Sequence, residues 1–334
     1  MKGLRRALLA AAALACATAC APEIQIVGRP FTAAALRDDA LQTADGTLLP
    51  LRAWLPVGKP KAVILGLHGM NEYAKSFAAP AEAWRKLGIA TYAYDQRGHG
   101  GTPQRGVWAG TERLAGDFVT AVSLLRRRHP GVPIYAAGES MGGGVILAAM
   151  ARPDAPRLDG VILSAPAVWA RETMPVYYTA SLWIAAHALP RLSLSGRNLD
   201  RAPTDNRAVL RDLSRDPMVL KSARVDALWG VAGLMDAAYA AAPRVNAPVL
   251  LLYGERDKIV PRQPIEAVAR RLPEGAKRVA VYERGWHLLF RDLQAGIVHR
   301  DVAAWIADRS RPLPSGADNG AAKLLARDPR QNGN

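Results

Sequence analysis

The segment Gly138-Glu139-Ser140-Met141-Gly142 constrains this chain more than any other. An apolar run, residues 132–137, precedes it, and a helix-compatible run, residues 143–150, follows it. That succession reads as a strand, a sharp turn and a helix. A serine in such a turn sits at strained backbone angles with its hydroxyl above the sheet, and the flanking glycines let strand and helix approach closely. The five-residue pattern alone is weak, because Gly and Ser are common in ordinary turns; the strand before it and the helix after it give it weight. Ser140 is therefore the candidate nucleophile.

A serine hydroxyl is a poor nucleophile at neutral pH, so it needs a base to take its proton and a third group to orient that base. Both must come from elsewhere in the chain. The apolar run 247–253 empties into Gly254-Glu255-Arg256-Asp257, and the strand-like run 278–282 empties into Glu283-Arg284-Gly285-Trp286-His287. Asp257 is the candidate acid, with Glu255 as a rival carboxylate, and His287 is the candidate base among six histidines. The order Ser, acid, His, each just past an apolar strand, is the chain order of α/β hydrolases.

An oxyanion hole is the remaining requirement, built in such a fold from the N–H after the nucleophile and another from the loop after an early strand. Met141 supplies the first. Residues 61–67 are a buried-strand pattern that ends in His68-Gly69-Met70-Asn71-Glu72, which makes Met70 the second donor. His68, at a strand end before Gly, reads as a structural hydrogen-bonding residue. His99 reads the same way within Asp95-Gln96-Arg97-Gly98-His99-Gly100, a polar cluster that would brace the loop after the next strand.

Together, His68-Gly69-Met70-Asn71-Glu72, Tyr94-Asp95-Gln96-Arg97-Gly98-His99-Gly100, Gly138-Glu139-Ser140-Met141-Gly142, Gly254-Glu255-Arg256-Asp257 and Trp286-His287 resemble the monoacylglycerol lipase and lysophospholipase group of serine hydrolases (serine aminopeptidase S33-like). The resemblance covers most of residues 43–309. It implies Ser140, Asp257 and His287 as a catalytic triad, the Met70 and Met141 amides as the oxyanion hole, and cleavage of lipid carboxylic esters without a cofactor or metal. Tyr73 departs from the pattern, since those lipases usually carry His after the matching Glu72. The contribution of that loop to substrate recognition is therefore open.

The rest of the chain reads as alternating strands and helices on a mostly parallel sheet flanked by helices, an α/β fold. Asp45-Gly46 signals an entry hairpin. Further strands are expected at 89–94 and 161–164, and helices at 76–87, 109–128, 141–151, 263–272 and 295–308. The interval of about 167–242 interrupts this rhythm and is read as a cap insertion. If its apolar residues face inward, Trp183 and Trp229 would line an acyl-chain site; plain packing against the core is the other reading. Residues 20–311 would form the hydrolase domain, and 312–334, with few large apolar residues, a disordered tail.

The amino terminus carries Lys2, Arg5 and Arg6 ahead of an Ala/Leu-rich run, a secretory pattern too short to span a bilayer. Small residues ahead of Cys20 resemble a bacterial lipoprotein signal, making 1–19 the leader and Cys20 the lipidated residue, with Cys16 as its rival. The expected location is the periplasmic side of a cell membrane, and Ala21 in place of Asp favours the outer one. Both cysteines lie in the leader, so the mature domain would hold no disulfide. The formal charge of +15 is scattered, which argues against a nucleic-acid module and fits either anionic lipid headgroups or simple Arg-rich composition. Two further readings stay open: an aminopeptidase or short-chain esterase of the same fold, the former marked by an acidic cap residue such as Asp226 or Asp236, and a non-catalytic binding relative.

Overall fold

A computed structural model describes residues 21–196, 201–320 and 324. The leader with Cys16 and Cys20 lies outside the described residues, as does most of the segment after 320. Eleven strands are described, in chain order β1 (Ala35–Leu36), β2 (Ala40–Gln42), β3 (Leu48–Trp54), β4 (Ala62–Leu67), β5 (Ile89–Tyr94), β6 (Ile134–Glu139), β7 (Gly160–Ser164), β8 (Ser193–Leu194), β9 (Ala223–Arg224), β10 (Val249–Gly254) and β11 (Lys277–Tyr282). The helices are α1 (Ala78–Arg85), α2 (Thr111–Arg128), α3 (Met141–Met150), α4 (Val176–Ala188), α5 (Arg207–Arg215), α6 (Val225–Ala241), α7 (Arg262–Arg271) and α8 (Ala295–Ala307).

Nine strands form one sheet in the order β1-β2-β3-β5-β4-β6-β7-β10-β11. The entry strands pair antiparallel, and from β5 through β11 every neighbour is parallel. Strands covered on both faces read as unbroken apolar runs, which is why Ala-Val-Ile-Leu-Gly-Leu of β4 is buried throughout. Alternate residues serve opposite faces: Val63 and Leu65 pack in a core with Phe118 and Val145, whereas Ala62 and Ile64 pack in a second core with Trp84 and Trp305. The chain moves outward from β4 to β5 and then returns to β6 on the other side of β4. That reversal opens a crevice at the carboxyl ends of β4 and β6, the usual ligand position in such sheets.

The cap, 167–242, holds α4, α5, α6 and a two-stranded ribbon of β8 and β9. Strands of two residues were beyond the reach of pattern reading. In α4 only Ala186 is buried, so the apolar residues of this helix are mostly turned to solvent instead of packing on the core. The expected disordered tail needs a correction over residues 312–320. A 3₁₀ turn, Ala317–Gly320, lies against β11; Leu313 and Leu324 are buried, and Asp318 pairs with Arg278 at 3.4 Å. Leu313 and Leu324 are set among small and polar residues, so composition alone suggested disorder.

Candidate active site

Ser140 lies between β6 and α3 with φ 53° and ψ −115°, left-handed backbone that a non-glycine residue adopts only under constraint. The constraint is visible. Ser140 N–H donates to Ser164 O at 2.9 Å, and Ser140 O accepts from Ala167 N at 2.8 Å. The glycines around it leave no room for a side chain: a Cβ at Gly138 would stand 2.5 Å from Gly143 N, and one at Gly142 would stand 2.1 Å from Leu67 O. Met141 opens α3, where the first N–H groups have no partner inside the helix and the helix dipole favours negative charge.

Leu67 and Gly138 are register partners on adjacent parallel strands, so the loops after β4 and β6 emerge side by side. A Cβ on Gly69 would lie 3.5 Å from Ser140 Cβ. Buried His68 fixes this loop. Its Nε2 accepts from Gln96 N at 2.9 Å, so Nδ1 carries the proton and donates to Gly69 O at 2.8 Å. Gly69 O and Met70 N–H belong to one planar trans peptide and point in opposite directions, so the His68 ring also sets the direction of the Met70 N–H. Burial lowers the His68 pKa to about 4, which keeps the ring neutral for this role. His99 donates from Nδ1 to Arg97 O at 3.0 Å and is lowered to about 3, again by burial.

Asp257 and His287 follow β10 and β11, whose ends are in register at Gly254 and Tyr282. His287 Nδ1 bonds Asp257 Oδ2 at 2.8 Å, and the Asp257 side chain is fully buried. The other carboxylate oxygen, Oδ1, accepts from Ile259 N at 2.7 Å and Val260 N at 3.0 Å, which fixes the carboxylate plane. Glu255, the rival acid, is exposed and faces Arg262 at 3.7 Å. Burial alone would lower the His287 pKa, but the Asp257 hydrogen bond and charge, with Glu139 and Glu72 beyond, raise it above its ordinary value. Asp292 Oδ2 accepts from Trp286 N at 2.7 Å and holds the histidine loop from behind.

Sequence reasoning missed an ion-pair cluster beneath this site. Arg291, buried four residues after His287, bonds Glu139, the residue before Ser140, and lies 2.7 Å from Glu72 on the loop after β4. One guanidinium thus ties together the three loops that carry His287, Ser140 and Met70. Burial pushes the Glu139 carboxyl up to about 7, with Arg291 opposing. Glu139 and Arg291 are 152 positions apart, and no local pattern links them.

Tyr73, the departure from the lipase pattern, connects this loop to the cap. Its hydroxyl donates to Asp216 Oδ2 at 2.7 Å, Lys75 reaches the same oxygen at 3.0 Å, and Leu220 N–H donates to Asn71 O at 2.9 Å. Trp183 is 52% exposed and stacks on His187 with centroids 4.5 Å apart; His187 meets Trp229 edge-on at 5.8 Å, and Arg171 lies 3.8 Å from the Trp229 ring. The two tryptophans therefore belong to one aromatic and cationic stack. The cap carboxylates are also occupied, Asp226 by Arg224 and Asp236 by Arg171.

A strained serine after a central parallel strand, with a hydrogen-bonded Asp-His pair on the loops after two further parallel strands of the same sheet, defines an α/β hydrolase. Residues 58–294 match the serine aminopeptidase S33 family (Hydrolase_4), and the chain belongs to that family. It is similar to the monoglyceride lipase of Rattus norvegicus, 29% identical over 276 residues that cover 80% of this chain and 90% of that protein. It is also similar to the monoacylglycerol lipase of Mycolicibacterium smegmatis, 27% identical over 78% of this chain and 93% of the relative. Among solved structures, the monoacylglycerol lipase of Paleococcus ferrophilus superposes with a TM-score of 0.65 at 25% identity, covering 77% of this chain and 98% of that one. The chain is a serine ester hydrolase.

Proposed function

We propose that this enzyme hydrolyses single-chain lipid esters, of the monoacylglycerol or lysophospholipid type, through Ser140, His287 and Asp257. The observation that carries the mechanism is the 2.8 Å bond between His287 Nδ1 and Asp257 Oδ2. With Nδ1–H held by the carboxylate, Nε2 is the basic atom left for the Ser140 hydroxyl. His287 takes the Ser140 proton as Oγ attacks the ester carbonyl. The Met70 and Met141 N–H groups then stabilise the oxyanion. Protonated His287 gives its proton to the departing alcohol, water enters, and the same base activates it to release the fatty acid and free Ser140.

Lipid specificity rests on the lipases this chain resembles and on the apolar surface of the cap. The aminopeptidase reading loses support because both cap carboxylates suggested for amine recognition are engaged by arginines. We further propose an exported lipoprotein anchored through Cys20, and an acyl-chain site that includes Trp183 and Trp229. The test is fatty-acid release from monoacylglycerols and lysophospholipids of graded chain length, beside short nitrophenyl esters and aminoacyl amides. Lipid hydrolysis with KM rising more for long than short chains in Trp183→Ala and Trp229→Ala supports the reading. Turnover of amides alone would overturn it, and chain-length-independent effects of the two substitutions would remove the acyl site.

A further inference from the structure

The residues that follow Cys20 are fastened to the cap. Glu23 N–H donates to Asp226 Oδ2 at 3.3 Å, and the Glu23 carboxylate receives Arg224 Nη2 at 2.6 Å, with Arg191 at 3.4 Å. Arg224 itself bonds both oxygens of buried Asp226, so the arm joins a pair that is already fixed. The next residues are held by the loop that precedes α2. Gln25 N–H donates to Trp108 O at 2.9 Å, its side chain donates to Val107 O at 3.0 Å, and Gln104 donates to Ile26 O at 2.9 Å. Trp108 packs so tightly on α6 that a Cβ at Gly230 would fall 2.4 Å from its ring. Arm, loop and cap therefore form one connected piece.

Arg224 belongs to β9, whose partner β8 is flanked by exposed Leu192 and contains exposed Leu194. Leu189, Ile184 and Tyr177 extend this exposed apolar surface along and beyond α4. Arg191, which reaches Glu23, sits within it, its side chain 79% exposed. Two residues, Ala21 and Pro22, stand between Cys20 and Glu23, and an extended chain gains at most about 3.5 Å per residue, so the chain can carry a lipid at Cys20 no farther than about 10 Å from Glu23. Among the described residues no helix is long and apolar enough to cross a membrane.

We infer that the Glu23–Ile26 arm sets the orientation of the anchored enzyme, holding the lipid at Cys20 beside the exposed face of α4 and β8 so that this face lies on an anionic phospholipid surface. The inference rests on the proposed lipidation of Cys20. An acyl anchor and an adjacent apolar face are two membrane signals in one place, the combination that stable attachment requires. Without Lys2, Arg5 and Arg6 of the leader, the anchored chain keeps a formal charge of +12, which favours an anionic surface as the partner. Anchoring through a freely jointed arm would leave the enzyme at any angle; an arm fastened to the cap turns the face of α4 and β8 toward the lipid.

The experiment uses the full chain exported in a bacterial host, purified in detergent and reconstituted into phosphatidylethanolamine–phosphatidylglycerol vesicles. Intact mass reads lipidation, and hydrogen exchange reads the 176–194 amides. The expected result is a lipid on Cys20 and exchange in 176–194 slowed at least about five-fold relative to vesicle-free Cys20→Ser protein, with that protection lost in a Glu23→Ala, Gln25→Ala variant that stays lipidated. An unlipidated Cys20, unprotected amides in the reconstituted enzyme, or equal protection with the freed arm would overturn the inference. Protection that appears without vesicles and grows with protein concentration would overturn it in favour of a second copy of the chain. Hydrolysis of a water-soluble nitrophenyl ester is measured on every sample: its absence strikes the proposed chemistry, and its persistence leaves the orientation result to stand alone.

Discussion

Gly142→Ala tests how closely the nucleophile turn and the loop after β4 depend on each other. A Cβ at Gly142 would stand 2.1 Å from Leu67 O and 2.5 Å from Leu67 C. The closest comfortable carbon-to-oxygen contact is about 3.3 Å, so either α3 or the end of β4 must retreat by about 1.2 Å. Neither can do so privately. Leu67 O belongs to the peptide that leads into His68-Gly69-Met70, and α3 carries the Met141 N–H, so the retreat separates the two proposed oxyanion donors. A misplacement of about 1 Å in a catalytic constellation costs about 10²-fold in rate, and overpacking a tight contact costs about 1–3 kcal/mol of stability. The assay is kcat on a soluble nitrophenyl ester together with thermal melting. The control is Gly116→Ala in α2, where a Cβ meets nothing within 4 Å and helix propensity favours Ala. Activity within about three-fold of the parent in Gly142→Ala, with a normal melt, would refute the reasoning.

Three other outcomes follow from the site. Because His287 must be neutral to accept a proton and its pKa is raised, kcat/KM should rise with pH through a midpoint above the ordinary value of 6.5. Asp257→Asn removes the largest raising influence and leaves burial to lower the pKa, so the midpoint should move to lower pH while kcat falls on the order of 10⁴-fold; a pH–rate profile showing an unmoved midpoint would contradict the assignment. Arg291→Ala leaves Glu72 and Glu139 without their buried partner and should destabilise the fold by about 3–5 kcal/mol in urea titration, whereas a loss below about 1 kcal/mol would mean the cluster is solvated.

Much of this architecture could be read from residue patterns because a parallel sheet buried on both faces demands long apolar runs. The patterns at 61–67 and 89–94 located β4 and β5 to within one residue for that reason, and Asp45-Gly46 marked a hairpin whose Gly46 has φ 78°. That Ser140, Asp257 and His287 lie just past buried strands was equally legible, since each follows such a run. The unread parts depend on long-range pairing. Arg291 meets Glu139 and Glu72 only because three strands end at one edge, and Tyr73 finds Asp216 only once the cap folds over the loop. The Glu23 arm is equally silent in sequence, because a polar residue near a terminus carries no sign that Arg224 will receive it. In α4, whose apolar composition left acyl lining and core packing both open, Trp183 and Ile184 are each more than half exposed and do not pack in the core.

The most direct test of the central claim is covalent trapping of the enzyme with a fluorophosphonate, followed by peptide mass mapping. The account predicts a single adduct on Ser140, its formation slowed on the order of 10³-fold or more in His287→Ala, and no adduct or ester turnover in Ser140→Ala protein that melts normally. An adduct on another residue, or ester hydrolysis that survives Ser140→Ala, would contradict it.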